Sequence, residues 1–302
     1  MTNPLMTLSE HLASTVEQSG RSIVAVHARA RFNSSGVHWS PGVVVTADHT
    51  IQRDDDIRIS AADGSTHAAE LAGRDPSTDL AVLRVKDLNI PLAAKAAGSA
   101  LKPGNAILVV GRFKDSASAA FGVLSSVSGP SQTWRGGLLD QVLRLDVALQ
   151  AGAAGGAVVD ADGKLLGIAT PALSRVAVFA IPVATIDRVT GKLLAHGRIP
   201  RGYLGVGLQP IAIPEHLKNK LNLSGSSGLI AVSVDTDAPA GQAGILIGDI
   251  LLELGGRAMH RPENVQHVLD SESIGRKLPA RILRAGNTMD VEFTVGERPA
   301  RR

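Results

Sequence analysis

Between Ser22 and Ile168 the chain is a succession of short β-branched and aliphatic runs, each ended within a few residues by Gly, Pro, Asn or Asp. This spacing most limits the fold. The runs occupy residues 23–26, 43–46, 57–60, 80–85, 106–110, 123–128, 142–147, 157–159 and 165–169. Val and Ile are stiff at χ1 and pack well on a pleated surface, so the runs read as strands. Many strands of this length at close spacing predict a sandwich or barrel.

Helical periodicity flanks this region. Thr7-Leu-Ser-Glu10 resembles a capping box, and Leu8, Leu12 and Val16 then share one face up to about Ser19. After Phe179-Ala-Ile-Pro182, Ile186, Val189 and Leu193 recur on one face and stop at Gly197. Gly197-Arg-Ile-Pro-Arg-Gly202 then interrupts all periodicity. The expected division is a helical segment over 1–20, a β domain over 21–197, a linker over 198–202 and a second domain over 203–302. The last domain reads as a small α+β module. Its strands are expected at 203–208, 229–234, 250–254, 280–284 and 290–295, its helices near 239–244 and 263–270, and a hairpin at Gly255-Gly256. A length of 302 residues is enough for two domains with real cores.

Composition removes several classes of function. Thirty-one Lys and Arg against 28 Asp and Glu leave a net charge of +3, scattered except for a basic tail at 298–302, so no nucleic-acid or anionic-lipid footprint stands out. Two Trp, one Tyr and five Phe are too few for a base-stacking platform. The absence of Cys excludes disulfides, thiolate zinc sites and cysteine nucleophiles. The first twenty residues carry no basic stretch followed by an apolar one, and no run approaches the roughly 18 apolar residues of a membrane span. The expectation is a cytoplasmic chain as written, the alternative a periplasmic or cell-envelope protein whose signal has been removed.

Three segments of the first domain bear chemistry. His49 follows an apolar strand in Gly42-Val-Val-Val-Thr-Ala-Asp-His49, where a rigid element can hold an imidazole at a cleft edge. Asp79 opens a strand apolar enough to be buried, in Asp75-Pro-Ser-Thr-Asp79-Leu-Ala-Val-Leu83. Gln150-Ala-Gly152-Ala-Ala154-Gly-Gly156-Ala-Val-Val159 is a glycine-rich turn before a buried strand, able to aim N–H groups outward as an anion nest. Singly, each reads as a surface His, a turn Asp and a tight turn. The order His, Asp, glycine turn is that of the chymotrypsin-type triad.

With these motifs the chain resembles the HtrA (DegP-like) family of trypsin-like serine proteases, from about Ser22 to Glu297. The resemblance implies a mainly β double barrel of the chymotrypsin/trypsin type followed by a small α+β PDZ domain. It implies catalytic roles for His49 and Asp79, an oxyanion hole from the N–H groups of Gly152 and Ala154, and no cofactor and no metal. The chain departs from the family at the nucleophile: Ala154 stands where the family has Ser, with Ala153 and Ala157 in place of the usual Asn and Pro. A methyl group has neither a proton for His49 nor a lone pair for attack. The reading is therefore a serine endopeptidase for unfolded or misfolded proteins, disabled at Ala154; the alternative is a natural pseudoprotease acting as a holdase or adaptor.

Residues 168–178 hold Arg175 as their only charge, so small or medium aliphatic residues are expected at the cleaved position. In the second domain, Tyr203-Leu204-Gly205-Val206 resembles the carboxylate-binding loop of a PDZ domain and Ala238-Pro-Ala-Gly-Gln-Ala-Gly244 its most recognisable stretch. A groove lined by Leu204 and Val206 with Val265, Val268 or Leu269 would take hydrophobic carboxy-termini. Expected partners are thus unfolded polypeptides and such termini, with no nucleic acid and no membrane span, and a homotrimer by resemblance. Asp54-Asp55-Asp56 as a cation site and the His260/His267 pair as a zinc site are weaker readings, since neither has metal-ligand spacing.

Overall fold

The computed structural model describes residues 3–96, 100–114, 116–223, 225–269 and 273–299. It divides into two compact units, Met1–Ile199 and Pro200–Arg302.

Helix α1 (Pro4–Gly20) opens the first unit. Six strands follow: β1 (Ile23–His27), β2 (Ser34–Ser40), β3 (Val43–Ala47), β4 (Ile57–Ser60), β5 (Thr66–Asp75) and β6 (Leu80–Val85). They close an antiparallel barrel in the order β1-β2-β3-β6-β5-β4. A second barrel is built from β7 (Ala106–Phe113), β8 (Ser116–Ser128), β11 (Val142–Asp146), β12 (Ala157–Val159), β13 (Leu165–Thr170) and β14 (Val178–Pro182), in the order β11-β14-β13-β12-β7-β8. A ribbon of β9 (Ser131–Gln132) and β10 (Leu138–Leu139) stands apart.

Closure removes the edges that such strands would otherwise expose. Each barrel has its own filling, Val24, Val26, Val44, Ile59 and Leu83 in the first and Ile107, Val109, Leu124, Leu143 and Val158 in the second. A third cluster joins the barrels, with Val37, Val45 and Val82 of the first meeting Val110, Ile168 and Ile181 of the second. Helix α2 (Val183–His196) buries Ile186, Val189 and Leu193 on that cluster, each contributing about 1.5–3 kcal/mol. Gly197, in the left-handed region at φ 72°, ends the helix.

Helix α1 starts earlier than the Thr7–Glu10 reading. Asn3 is its cap, its side chain accepting from the Leu5 N–H at 3.1 Å, and Pro4 occupies the first turn. A proline with φ preset for a helix and an Asn before it outweigh the later box. Leu12 and Val16 pack on the inter-barrel cluster, whereas Leu8 stays exposed. Strands β2 and β5 are absent from the periodicity reading. Their sequences, SSGVHWS and THAAELAGRD, are rich in Ser, Ala, Gly and charge, and barrel closure rather than propensity makes them strands. In β2 this composition has a reason: a Cβ on Gly36 would lie 2.7 Å from Val44 Cγ1.

The second unit holds a sheet in the order β16-β17-β18-β20-β21, formed by residues Val206–Ala212, Ser227–Val234, Ile250–Leu254, Lys277–Arg284 and Asn287–Thr294. The short β19 (Arg257–Ala258) folds back on β18 through Gly255 and Gly256. The single strand expected over 203–208 is broken: β15 (Gly202–Tyr203) pairs with β22 (Gly296–Glu297), and β16 begins only at Val206. Gly205, at φ 74°, makes the break. Helices α4 (Pro239–Gln242) and α5 (Pro262–Val268) lie where periodicity put them; Asp270, the expected end of α5, is outside the described residues. Helix α3 (Glu215–Leu221) is an addition, ended by Asn222 in the left-handed region. Leu204, Leu229, Leu254, Val265 and Phe293 form the core.

Candidate active site

His49 sits in the 3₁₀ turn Asp48–Thr50 that ends β3, a strand buried along its whole length. The turn is tied back by the Thr50 hydroxyl, which donates to the Ala47 carbonyl at 2.7 Å. Asp79 precedes β6 in the left-handed region, φ 58°, which Asp tolerates better than most residues. The tight turn before it is held by the Asp75 carboxylate, which accepts from the hydroxyls of Ser77 and Thr78 at 2.6 and 2.7 Å.

These two turns bring His49 onto Asp79. The Nδ1 atom lies 3.0 and 2.9 Å from the two carboxylate oxygens, and the His49 N–H donates to Oδ1 at 2.8 Å. With Nδ1 facing a carboxylate, the Nδ1–H tautomer is favoured and Nε2 keeps its lone pair. The Asp79 side chain is 1% exposed and that of His49 30%, so the imidazole bridges core and solvent. Thr170, at the end of β13, donates its hydroxyl to Asp79 Oδ2. No motif flagged Thr170. The available signal was a hydroxyl ending an otherwise aliphatic buried strand.

Asp48, beside His49, is buried and bonded by Arg74, which also pairs with Asp54. Burial pushes the Asp48 carboxyl above the ordinary range, and Arg74 only partly offsets this. Asp56 pairs with Arg58, so two of the three carboxylates in the 54–56 run are engaged by arginines. His260 bonds Ser227 at 2.9 Å.

The glycine turn is clamped on both sides. Gly155 has φ 82°, and a Cβ there would lie 2.2 Å from the Ser35 carbonyl oxygen and 2.5 Å from Thr46 Oγ1. Its N–H donates to Ala169 O at 2.9 Å, beside Thr170. Ser35 holds the other side: its N–H donates to Ala154 O at 3.0 Å and its hydroxyl to Gly152 O at 2.7 Å. Ala153 N–H bonds Gln150 O and Gly156 N–H bonds Ala153 O. Among the described residues, the N–H groups of Gly152 and Ala154 have no acceptor. Sequence reasoning missed Ser35, whose role depends on a contact across 117 residues.

A cleft of ≈ 580 Å³ lies beside the segment that follows β13, lined by Pro171, Arg175, Val176 and Val178. Arg144, Leu145, Asp146 and Val147 also line it. Arg175 is the only charge of residues 168–178, and β11 brings Arg144 and Asp146 to the same cleft from distant sequence.

The two six-stranded barrels and the sheet of the second unit each resemble a known domain. Residues 34–168 match the trypsin-like peptidase domain model and residues 202–295 the PDZ domain model. The fold is that of a trypsin-like double barrel followed by a PDZ domain. A probable periplasmic serine endoprotease, DegP-like, from Halomonas elongata is 29% identical over 277 residues, which is 90% of this chain and 57% of that protein. A protein of the same description from Pseudomonas putida is 29% identical over 266 residues, 86% of this chain and 54% of its own. The chain therefore spans little more than half the length of these relatives. Among solved structures, the serine endoprotease from Yersinia pestis superposes with a TM-score of 0.75 at 28% identity, covering 95% of this chain and 98% of that one. The HtrA-type protease AlgW with decapeptide gives 0.74 at 25%, covering 96% and 99%.

In the PDZ domain, the Leu204 carbonyl accepts from Ala240 N–H at 2.7 Å and the Gly205 carbonyl from Asp235 N–H at 2.8 Å. Both carbonyls are thus turned to the protein, and among the described residues the N–H groups of Leu204 and Gly205 have no acceptor. Only glycine fits at 205, where a Cβ would lie 2.0 Å from that of Ala238. Strand β16 is the edge of its sheet. Leu204 and Val265 are buried in the core, and Val206, Val268 and Leu269 are half-buried against it.

Proposed function

We propose that this protein is an HtrA-type serine endopeptidase scaffold for unfolded or misfolded polypeptide, with turnover blocked at Ala154. The observation that carries the reading is the His49–Asp79 pair, supported by Thr170, together with a glycine turn anchored by Ser35 and Ala169. With Ser at 154, the hydroxyl would attack the scissile carbonyl and pass its proton to His49 Nε2, which returns it to the leaving amine. Asp79 would hold the tautomer, and the N–H groups of Gly152 and residue 154 would stabilise the oxyanion. The relatives named above are described as serine endoproteases or, for the one solved with a decapeptide, as an HtrA-type protease, which supports polypeptide as the ligand class.

The PDZ domain is proposed to take hydrophobic carboxy-termini through Tyr203, Leu204, Gly205 and Val206, the peptide adding as a strand at β16. Assembly as a homotrimer belongs to the same proposal and is checked by a solution mass near three times 31.3 kDa. The cytoplasmic expectation finds no support. Relatives described as periplasmic favour the envelope, and among the described residues no helix is long and apolar enough to cross a membrane.

Ala153 and Ala157 favour a second reading, a natural pseudoprotease acting as holdase or adaptor. Both are buried, at 4% and 1% exposure, so the turn is packed around alanines at more than the nucleophile position. Ala154→Ser separates the two. Cleavage of an unfolded protein and covalent labelling by a fluorophosphonate support the endopeptidase scaffold. A Ser variant that folds and assembles like the parent, yet neither labels nor cuts even with a PDZ peptide present, overturns it. In the restored background, His49→Ala and Asp79→Asn should each lower turnover by roughly three orders of magnitude or more.

A further inference from the structure

We infer that Arg74 is the positioning residue for His49: one guanidinium, reaching across from β5, holds both ends of the turn that carries the imidazole. The inference rests on the assignment of His49 to a catalytic pair, as proposed above, and adds a residue that the sequence reading did not single out.

The 3₁₀ turn Asp48–Thr50 has no side-chain cap at its start and gives His49 only a short support of its own. Arg74, next to last in β5, pairs with Ala81 of β6, the strand that Asp79 opens. Its Nε donates to the Asp48 carboxylate, and its Nη2 donates to the Asp48 carbonyl at 3.4 Å and to the Ile51 carbonyl at 3.2 Å. Nη1 donates to Asp54 Oδ1 at 3.0 Å, beyond the turn. The residues on either side of His49 and Thr50 are thus fixed to one plane. A guanidinium suits this task, because it stays charged and its N–H groups point in fixed directions. The same turn is tied to its partner's backbone, since the Asp48 N–H donates to the Asp79 carbonyl at 3.1 Å.

The imidazole depends on the backbone of this turn. Both the His49 N–H and Nδ1 meet the Asp79 carboxylate, so a turn that shifts carries His49 off both bonds together. The ring is partly exposed, which leaves it room to swing once the backbone moves. Asp48 adds a second demand. Its carboxylate is buried and feels the charges of Asp79 and Asp75, and burial works to raise it, with Arg74 as the opposing influence. Without Arg74 this buried carboxylate would lack its cation, and would either take a proton from solvent or turn toward water. The second course unwinds the turn beneath His49. The Asp54-Asp55-Asp56 run, weighed above as a cation site, enters through Asp54, which is exposed and so the weaker anchor.

The test uses the full chain with Arg74→Lys, Arg74→Met and the double variant Arg74→Met/Asp48→Asn. Lysine keeps a charge beside Asp48 but, as a point charge, cannot span both carbonyls. The double variant removes the buried carboxylate along with its cation, which keeps the test open where Arg74→Met alone fails to fold. In the parent, the ring nitrogen NMR signals of His49 at about pH 8, above the ordinary imidazole range, should show the Nδ1–H tautomer. In Arg74→Lys and in the double variant they should move toward a mixture of tautomers, and the His49 amide should exchange with solvent at least about 10-fold faster while amides of β17 and β18 exchange as in the parent. In an Ala154→Ser background that cuts, Arg74→Lys should lower kcat by about 10- to 100-fold with KM within about 2-fold, the signature of a misplaced group. Parental His49 signals in folded Arg74→Lys or in the folded double variant overturn the inference: the first would leave charge alone, and the second the neutralising of Asp48, as all that Arg74 supplies. If Ala154→Ser is inert as a protease while the His49 signals move as expected, the endopeptidase reading alone falls; if that variant cuts, and cuts as fast with Arg74→Lys added and the His49 signals unmoved, this inference alone falls.

Discussion

At the scale of single residues, the candidate site depends on positions chosen for what they exclude as much as for what they do. Gly155 admits no side chain, since its φ is positive and Ser35 and Thr46 stand in the way. Gly155→Ala should cost about 2–4 kcal/mol from backbone strain and overlap together, read as a fall in the urea midpoint. Thr170→Val should leave a buried Asp79 oxygen short of a donor and cost about 1–3 kcal/mol, with Thr170→Ser recovering most of it. The contact between His49 and Asp79 was legible because both lie within recognisable runs of neighbours. Thr170 and Ser35 were not, because their meaning comes from a partner across the barrel that a linear reading cannot supply.

Among elements, strong local signals survived and weak ones did not. Helix α2 was legible from Ile186, Val189 and Leu193 at helical spacing with glycine behind them. Leu193→Ala should destabilise the first unit by about 2–5 kcal/mol, and Gly197→Ala by about 1 kcal/mol, both measurable in denaturant titrations. Strands β2 and β5 carry little preference of their own, and their neighbours on both sides impose their register. The start of α1 was misplaced for the opposite reason: two plausible caps lay within one turn, and Asn3 with Pro4 prevailed over Thr7 with Glu10. Gly205 shows how a single position can divide one apparent strand into two and leave N–H groups aimed outward between them.

For the whole molecule, two units with separate cores predict two transitions in calorimetry and a segment 200–302 that folds alone. Acid should reach each through a different carboxylate. In the second unit, burial works to raise the Asp249 carboxyl, but bonds from Arg284 and the Leu246 N–H outweigh it and hold it below the ordinary range. A carboxyl depressed on folding stabilises above its unfolded value, about 3.9, and loses that contribution as pH falls through the folded value. Asp140 is likewise lowered in the first unit, where burial is outweighed by Thr185 and Arg188. Asp249→Asn should therefore flatten the acid dependence of the second transition and leave the first unchanged; an equal effect on both would contradict separate cores. The closure of each unit on its own strands also bears on descent. With each core filled by side chains of its own unit, substitutions can accumulate in one half without disturbing the packing of the other.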